Sequence, residues 1–288
     1  MQHRIETQIS LELKVADLFA GIGGFHLAAL RNGLTCTFAC ERDKFCRETY
    51  AKNFAVDPFY KDFEDIEFNS LPDFDLLCAG FPCQPFSSIG KQKGFEDERG
   101  HYIYRITDLL KKKQPKAFLL ENSRGLKSHN HGRTFEEVVA MLAKSGYQLF
   151  SKVLYASDYG LPTFRPRLYM VGIRLDYYPS SFTFPLPKPL KLTMSDVLGG
   201  KCLRNIGYTI RCGGRRSGIT DRHNWDSYIV DGSLCNLTID QAKKMMGFPD
   251  DFVLPVSDTQ AWKQLGNSVS INVIYEIIKM IKKAVCEN

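Results

Sequence analysis

The amino-acid sequence predicts an α/β fold. Short apolar runs alternate with segments whose apolar residues recur at helical spacing. The first run, Leu13–Phe19, leads through a glycine turn at 21–24 into a helix, and this is the first unit of a Rossmann-like sheet with helices on both faces. After Tyr177 the chain becomes proline-rich and its periodicity weakens. This change predicts a small, irregular second unit.

Composition restricts the class of protein. The chain has 288 residues, of which 44% are apolar, enough for one domain or two unequal ones. Its nine cysteines form no CxxC pair, so neither a metal site nor a disulfide framework is predicted, and unpaired thiols favour a reducing compartment. No apolar run approaches the ~18 residues of a membrane span, and the first residues lack a signal-peptide pattern. We therefore expect a cytoplasmic or nucleoid-associated protein that needs no metal.

The first half of the sheet follows in order. A helix from Phe25 to Asn32 ends at Gly33, and a second strand, Thr35–Cys40, ends at Glu41. An acid about twenty residues past the glycine turn is where a ribose-binding carboxylate lies in such folds. A solvated residue near the start of the next helix, 43–54, is the alternative interpretation of Glu41. The acids of the segment 61–66 follow the predicted third strand.

A stiff loop follows the apolar run 75–79. Its sequence is Gly80-Phe81-Pro82-Cys83-Gln84-Pro85-Phe86-Ser87. A free cysteine is usually a small buried apolar residue, and the other eight cysteines are assigned to that role. Cys83 differs because loop-forming and polar residues surround it, so it is the candidate nucleophile. The polar, glycine-containing stretch 87–100 has no periodicity and predicts a functional loop.

The second half of the sheet contains further candidate residues. The strand Ala117–Leu120 is expected to carry Glu121 to the same crevice as Cys83. Thr134 is predicted to open a capping box for a helix that Gly146 ends. Two strands, 147–156 and 168–173, are expected to form a hairpin that completes the sheet.

Between Gly199 and Arg222 six basic residues face one acid, a net charge of +5. A basic run is often only a solvated surface, but arginines on glycine loops also suit phosphate and guanine contacts.

Several strings, taken in order, resemble the cytosine-5 methyltransferases of bacterial or phage restriction-modification type. They are Asp17–Gly24, Pro82-Cys83-Gln84, Glu121-Asn122, Arg165 with Arg167, Thr209-Ile210 and Gly266–Val269. Two positions depart from the family pattern, since Ser123 stands for valine and Thr163 for glutamine. The resemblance covers nearly the whole chain and implies a methyltransferase fold that uses S-adenosylmethionine, releases S-adenosylhomocysteine and acts on double-stranded DNA.

The resemblance also implies that residues 1–178 and 255–288 form a discontinuous catalytic domain and residues 179–254 a recognition domain. It implies residue roles as well. Its catalytic set is Cys83, Glu121, Arg165 and Arg167. Its cofactor-binding set is Asp17, Phe19, Gly21, Gly23, Gly24, Glu41, Arg42, Asp62, Phe63, Pro82, Asn267, Ser268 and Val269. Its DNA-binding set is Gln84, Ser87, Ser88, Lys91, Arg99, Thr209, Arg211, Gly213, Gly214, Arg215 and Arg216.

Three alternatives stay open at this stage. They are a tRNA-directed member of the same family, a catalytically inactive DNA-binding relative, and a nicotinamide-dependent oxidoreductase suggested by the first βαβ unit. The presence of Cys83, Glu121 and Arg167 argues against the inactive relative, and the absence of GxGxxG argues against the oxidoreductase. We expect a monomer, and the sequence leaves open the DNA target and whether a restriction endonuclease shares it.

Overall fold

The structure, a computed structural model, describes residues 13–81, 101–177 and 182–286. Its main sheet has seven strands in the order β3-β2-β1-β4-β5-β7-β6. These strands are β1 Lys14–Leu18, β2 Thr35–Cys40, β3 Phe59–Tyr60, β4 Leu76–Ala79, β5 Ala117–Ser123, β6 Tyr147–Tyr155 and β7 Pro166–Arg174. Strands β1 to β5 are parallel, whereas β7 runs antiparallel to both β5 and β6. The predicted α/β sheet and its closing hairpin are confirmed.

Helices cover both faces of this sheet. The α-helices of the described residues are α1 Gly24–Arg31, α2 Lys44–Asn53, α3 His101–Lys113, α4 Arg133–Ala143, α5 Met194–Leu198, α6 Ile239–Met246, α7 Asp258–Asn267 and α8 Ile271–Cys286. Successive side chains along each strand point to opposite faces of the sheet, so the apolar residues form two clusters, one on each face. Val15 of β1 packs with α1 and α8, and Ala16 packs with α3 and α4. This is the arrangement expected when both faces of a parallel sheet are buried.

The parallel strands place their carboxyl ends at one edge. Strand β1 lies between β2 and β4, so the connections leave it in opposite directions and open a crevice at that edge. The C-terminal helix α8 returns to pack on α1, as the sequence predicted for the end of the chain.

Residues 182–254 contain little regular structure besides α5, α6 and a hairpin of β8 Ser227–Val230 and β9 Ser233–Asn236. Met194, Trp225 and Met245 of this segment share one apolar cluster with α8. The segment therefore lies against the sheet's helices. Within the described residues, no helix is both long and apolar enough to cross a membrane.

Two local predictions needed correction. Strand β5 continues to Ser123 because β7 pairs with it to that point, so Glu121 lies within the strand and not after it. The capping box predicted at Thr134 is wrong: Thr134 is buried inside α4, its hydroxyl 2.7 Å from Nδ1 of His129, and Gly132 precedes the helix. Capping boxes form instead at Thr193 and Thr238.

Candidate active site

A cavity of about 520 Å³ opens at the carboxyl edge of β1, β2, β4 and β5, a size suited to a small ligand. Ten of the predicted site residues line it, although they are widely separated in sequence. These residues are Phe19, Gly21, Glu41, Arg42, Asp62, Phe63, Glu121, Arg165, Arg167 and Asn267.

Glu41 lies where β2 ends, and both of its carboxylate oxygens are fixed. Oε2 accepts a hydrogen bond from the backbone N–H of Gly21 at 2.8 Å, and Oε1 accepts one from that of Asp43 at 2.7 Å. Burial raises the pKa of Glu41, and these two hydrogen bonds partly offset that effect. A carboxylate has about four acceptor sites, so about two remain for hydroxyl groups of a ligand.

Aromatic side chains form one wall of the cavity. The rings of Phe19 and Phe63 meet edge to face at 5.4 Å, and Tyr102 of α3 lies 5.0 Å from Phe19. Arg105 donates to the carbonyls of Phe63, Glu64 and Ile66 and so holds this wall against α3. A flat apolar ring can stack in such a place.

Asp62 follows β3 at the cavity mouth. It accepts the backbone N–H of Glu64 at 3.2 Å and pairs with Arg42 Nε at 3.3 Å. Because the side chain of Arg42 is 77% exposed, that ion pair contributes little to stability and leaves Asp62 able to accept from a ligand.

Glu121 and Arg167 form an ion pair deep in the cavity. Residue 121 of β5 is opposite residue 169 of β7, and 123 is opposite 167, so Glu121 and Arg167 are diagonal neighbours on one face. Arg167 Nε lies 3.0 Å from Glu121 Oε1. Burial raises the pKa of Glu121, while Arg167 and then Arg165 act in the opposite direction.

Arg165 lies on the cavity wall, and its guanidinium holds backbone. It donates to the carbonyls of Ile210 at 3.1 Å, Gly266 at 2.8 Å and Ser268 at 2.6 Å. The side chain thus joins the β6–β7 connection to two distant segments of the chain.

The loop that carries Cys83 begins beside Glu121. Asn122 Nδ2 donates to the carbonyl of Phe81 at 3.2 Å, and a Cβ placed on Gly80 would lie 3.7 Å from Glu121 Oε2. The chain therefore leaves β4 next to the buried carboxylate. The predicted site residues of that loop lie outside the described residues; they are Pro82, Cys83, Gln84, Ser87, Ser88, Lys91 and Arg99.

Five predicted cofactor residues do not line the cavity. Asp17 is fully buried in β1. A Cβ on Gly23 would lie 2.2 Å from the Phe54 ring, and one on Gly24 would lie 2.6 Å from Val269, so both glycines permit close packing. Ser268 and Val269 are buried beside that turn.

Asp17 provides a test of stability against pH. Burial raises its pKa well above 3.8, an interaction with the backbone of His26 acts against this, and the charge of Glu41 raises the pKa further. Neither carboxylate oxygen has a hydrogen-bond partner among the described residues. The native state therefore holds a proton that the unfolded chain releases above pH 3.8, so this contribution to stability falls as pH rises through the native pKa.

Replacing Asp17 with asparagine removes this titration and nearly keeps the shape. We expect the free energy of unfolding of Asp17→Asn, relative to wild type, to rise with pH by up to about 1.4 kcal/mol per pH unit inside that window. Urea unfolding between about pH 5 and about pH 8 measures it. Asp108→Asn, at an exposed position, is the control; a constant difference between Asp17→Asn and wild type would contradict the prediction.

The predicted DNA-contacting residues between Thr209 and Arg216 lie next to α7, most of them at the surface. Arg211, Gly213, Gly214 and Arg216 are exposed, whereas Thr209 is half-buried and its hydroxyl donates to the carbonyl of Phe164. Arg215 differs from its neighbours because its guanidinium turns inward, over the ring of Trp262 at 4.2 Å.

The sequence analysis missed several cavity residues. Lys263 of α7 pairs with Asp43 at 2.8 Å, and Gln264, whose Oε1 accepts from Thr49, has an Nε2 without a partner among the described residues. Tyr102 and Arg105 were also missed. No local signal marks them, because each acts on a segment at least 39 positions away along the chain.

Comparisons with known proteins identify the family to which the chain belongs. Residues 13–212 and 205–283 match the family described as C-5 cytosine-specific DNA methylase. The Type II methyltransferase M.NgoBI of Neisseria gonorrhoeae is 40% identical over 91% of this chain and 90% of its own. For M.HaeII of Haemophilus aegyptius the identity is 38%, over 92% of each chain.

Solved structures share the fold at low identity. The Entamoeba histolytica methyltransferase EhMeth superposes with a TM-score of 0.76 at 19% identity, covering 94% of this chain and 98% of that one. The Dnmt2 methyltransferase of S. pombe gives a TM-score of 0.68 at 18% identity, covering 94% and 99%. With a family match over most of its length, the chain belongs to the C-5 cytosine-specific DNA methylase family.

Proposed function

We propose that the protein transfers a methyl group from S-adenosylmethionine to carbon 5 of a flipped-out cytosine in a short double-stranded DNA sequence. The observation that carries this proposal is the Arg167–Glu121 pair, 3.0 Å apart. The pair shares a cavity with Glu41 and the aromatic wall. The cavity thus offers two regions. Glu41 and the aromatic wall suit a nucleoside cofactor, and the Arg167–Glu121 pair suits the hydrogen-bonding edge of a cytosine base.

The cavity residues fit S-adenosylmethionine. The free acceptor sites of Glu41 suit the two hydroxyls of a ribose, and Phe19 and Phe63 suit an adenine ring. Asp62 can accept from an exocyclic amino group, and Gln264 Nε2, which has no partner in the described parts of the chain, can donate to an acceptor. When bound, the cofactor supplies an electrophilic methyl group.

Two thiols on the cavity wall, those of Cys40 and Cys46, are unsuited to nucleophilic attack. Burial raises the pKa of Cys40 to about 12 and raises that of Cys46 strongly as well. Neither is ionised at neutral pH, and the thiolate is the reactive form. Cys83, two residues after Phe81 in the sequence, remains the candidate nucleophile.

Cytosine carbon 5 is a poor nucleophile, and the proposed residues overcome this. The Cys83 thiolate forms a bond to carbon 6, and the ring electrons move toward nitrogen 3, where the proton held by Glu121 is donated. Carbon 5 becomes enamine-like and would accept the methyl group as the bond between that group and the cofactor sulfur breaks. A base, for which a water suffices, then removes the carbon 5 proton, the bond between carbon 6 and the Cys83 sulfur breaks, and nitrogen 3 returns its proton to Glu121.

Arg167 and Arg165 serve this step differently. Arg167 holds Glu121 Oε1 and has further N–H groups that can reach the carbonyl of the base. Arg165 uses its N–H groups on three backbone carbonyls, so we assign it a positioning role.

DNA binding has to supply the energy of base flipping, about a few kcal/mol. We propose that residues 179–254 form the recognition domain and that residues 1–178 and 255–288 form the catalytic domain. Exposed arginines of residues 211–218, the recognition segment, would neutralise phosphates. The protein would act as a monomer in the bacterial cytoplasm.

One experiment tests the function directly. The protein is incubated with S-adenosylmethionine and a mixed-sequence plasmid, and 5-methylcytosine is then read at single-base resolution, with Cys83→Ala as control. Marks at one short motif, absent from the control, would support the proposal. Marks on tRNA alone would favour RNA as the substrate, and marks on neither would indicate an inactive DNA-binding relative.

Replacing Glu41 with glutamine is expected to weaken S-adenosylmethionine binding about tenfold to a hundredfold. The amide retains one acceptor oxygen, so it cannot hold Gly21 and Asp43 and also accept from the ribose; hydrogen bonds to a charged group are worth about 1.5–3 kcal/mol. Calorimetric titration measures the change. Glu48→Gln, on the exposed side of α2, is the matched control, and equal affinities would refute the ribose role.

A further inference from the structure

Asp226 is a fully buried carboxylate beneath the exposed recognition segment. Its oxygens accept the backbone N–H of Arg216 at 3.0 and 3.1 Å, and Arg215 Nε lies 3.5 Å from Oδ2. A buried charge is costly unless it is paired and hydrogen-bonded, so this carboxylate has the partners that burial requires. It fixes the backbone of the segment from below.

Arg215 is directed away from solvent. Besides Asp226, its guanidinium faces the ring of Trp262 on α7, with 4.2 Å to the ring centre. Only 28% of the side chain is exposed. An arginine engaged in this way has little free surface for a phosphate or a base.

The recognition segment packs against helix α7. Trp225 Nε1 donates to the carbonyl of Gly213 at 3.0 Å, and its ring meets that of Trp262 edge to face at 5.6 Å. A Cβ on Gly266 would lie 2.6 Å from the backbone of Arg211 and Cys212, so only glycine allows this approach. The same helix also carries Lys263 and Gln264, which line the cavity.

The flanking arginines have the opposite orientation. Arg211 and Arg216 are exposed, and Arg216 adopts a left-handed backbone with φ of 60°. That conformation is unfavourable for arginine, and the two hydrogen bonds from its N–H to Asp226 stabilise it. The side chain of Arg215 therefore points into the protein, whereas that of the adjacent Arg216 is exposed to solvent.

We propose that Asp226 and Arg215 are positioning residues for DNA recognition. The pair sets the conformation in which Arg211 and Arg216 meet DNA, and Arg215 itself makes no DNA contact. The inference rests on the proposed function for its substrate. It replaces the sequence-based expectation that both Arg215 and Arg216 contact DNA.

A double-mutant cycle tests this assignment. Duplex dissociation constants are measured for Arg215→Gln, Asp226→Asn and the double variant over a range of salt concentrations. Each single change should weaken binding by a factor on the order of ten, and the double variant should be no weaker than the worse single one, because residues in one network couple. Additive losses would mean that Arg215 binds DNA independently and would overturn the proposal.

The salt dependence separates contact from positioning. Arg216→Gln should reduce the slope of log K against log salt by about one, as for a lost phosphate contact, whereas Arg215→Gln should leave the slope unchanged. Arg215→Lys keeps the charge next to Asp226 and should restore most of the affinity. A reduced slope in Arg215→Gln would contradict the assignment.

Two further measurements exclude trivial explanations. Trp262→Phe weakens the contact between the ring and the Arg215 guanidinium, because tryptophan is the stronger cation–π partner, and it replaces Asp226→Asn in the cycle if that variant does not fold. Arg174→Gln is the matched control, since Arg174 also pairs with an aspartate, Asp176, and faces an aromatic ring, Tyr177, at the far edge of the sheet. S-adenosylmethionine affinity should stay unchanged in every variant, and absence of DNA methylation in wild type would signal failure of the proposed function instead.

Discussion

Replacing Cys83 with alanine is expected to abolish methyl transfer, lowering kcat by a factor on the order of 10⁴ or more. Without a thiolate bond at carbon 6, carbon 5 stays unreactive. The cofactor affinity should not change, since the contacts proposed for it come from Phe19, Glu41 and Asp62. Methyl incorporation into DNA and calorimetric titration measure the two quantities.

A duplex carrying 5-fluorocytosine sharpens this test, because fluorine at carbon 5 cannot leave as a proton. Wild type should remain covalently attached to it, and intact mass spectrometry would show the adduct, whereas Cys83→Ala should give none. Cys235→Ala, which removes a partly buried thiol in the β8–β9 hairpin, is the matched control and should behave as wild type. Residual methylation by Cys83→Ala would remove Cys83 from the nucleophile role.

The sequence predicted the fold well because local patterns determine most of it. Apolar runs bounded by glycine and proline marked β1, β2 and β4 within one or two residues, and Gly33 marked the end of α1. These signals depend on neighbouring residues alone. The strand pairing that extends β5 to Ser123 depends on β7, more than 40 residues later, and was missed.

Residue roles were less predictable than elements. Gly23 and Gly24 belong to a glycine turn typical of a ligand loop, but the structure uses them to admit Phe54 and Val269. The string Arg211–Gly218 indicated basic character, yet nothing local shows that Arg215 turns toward Asp226 and Trp262. Burial and pairing between distant segments decide such roles, and a single sequence does not contain that information in readable form.

Replacing Glu121 with glutamine should lower kcat about 10²- to 10⁴-fold, the range for loss of one positioned acid–base group. Glutamine keeps the shape and can still hydrogen-bond nitrogen 3, but it has no proton to donate. DNA affinity should change little, because the side chain of Glu121 is only 12% exposed, whereas Arg211 and Arg216 are exposed at the surface. Single-turnover kinetics separates the two effects.

The pH profile of Glu121 gives the sharper test. Burial raises the pKa of Glu121, and the wild-type kcat should fall with rising pH as this carboxyl loses its proton. That fall is the alkaline limb of the pH profile of kcat, and Glu121→Gln should lack it. Arg167→Gln removes the nearest charge that lowers this pKa, so its limb should move to higher pH. Glu276→Gln is the matched control, since Glu276 is also 12% exposed and paired with a cation, on α8. An alkaline limb that persists in Glu121→Gln would assign the proton to another group, and an unmoved limb in Arg167→Gln would show that the ion pair does not tune it.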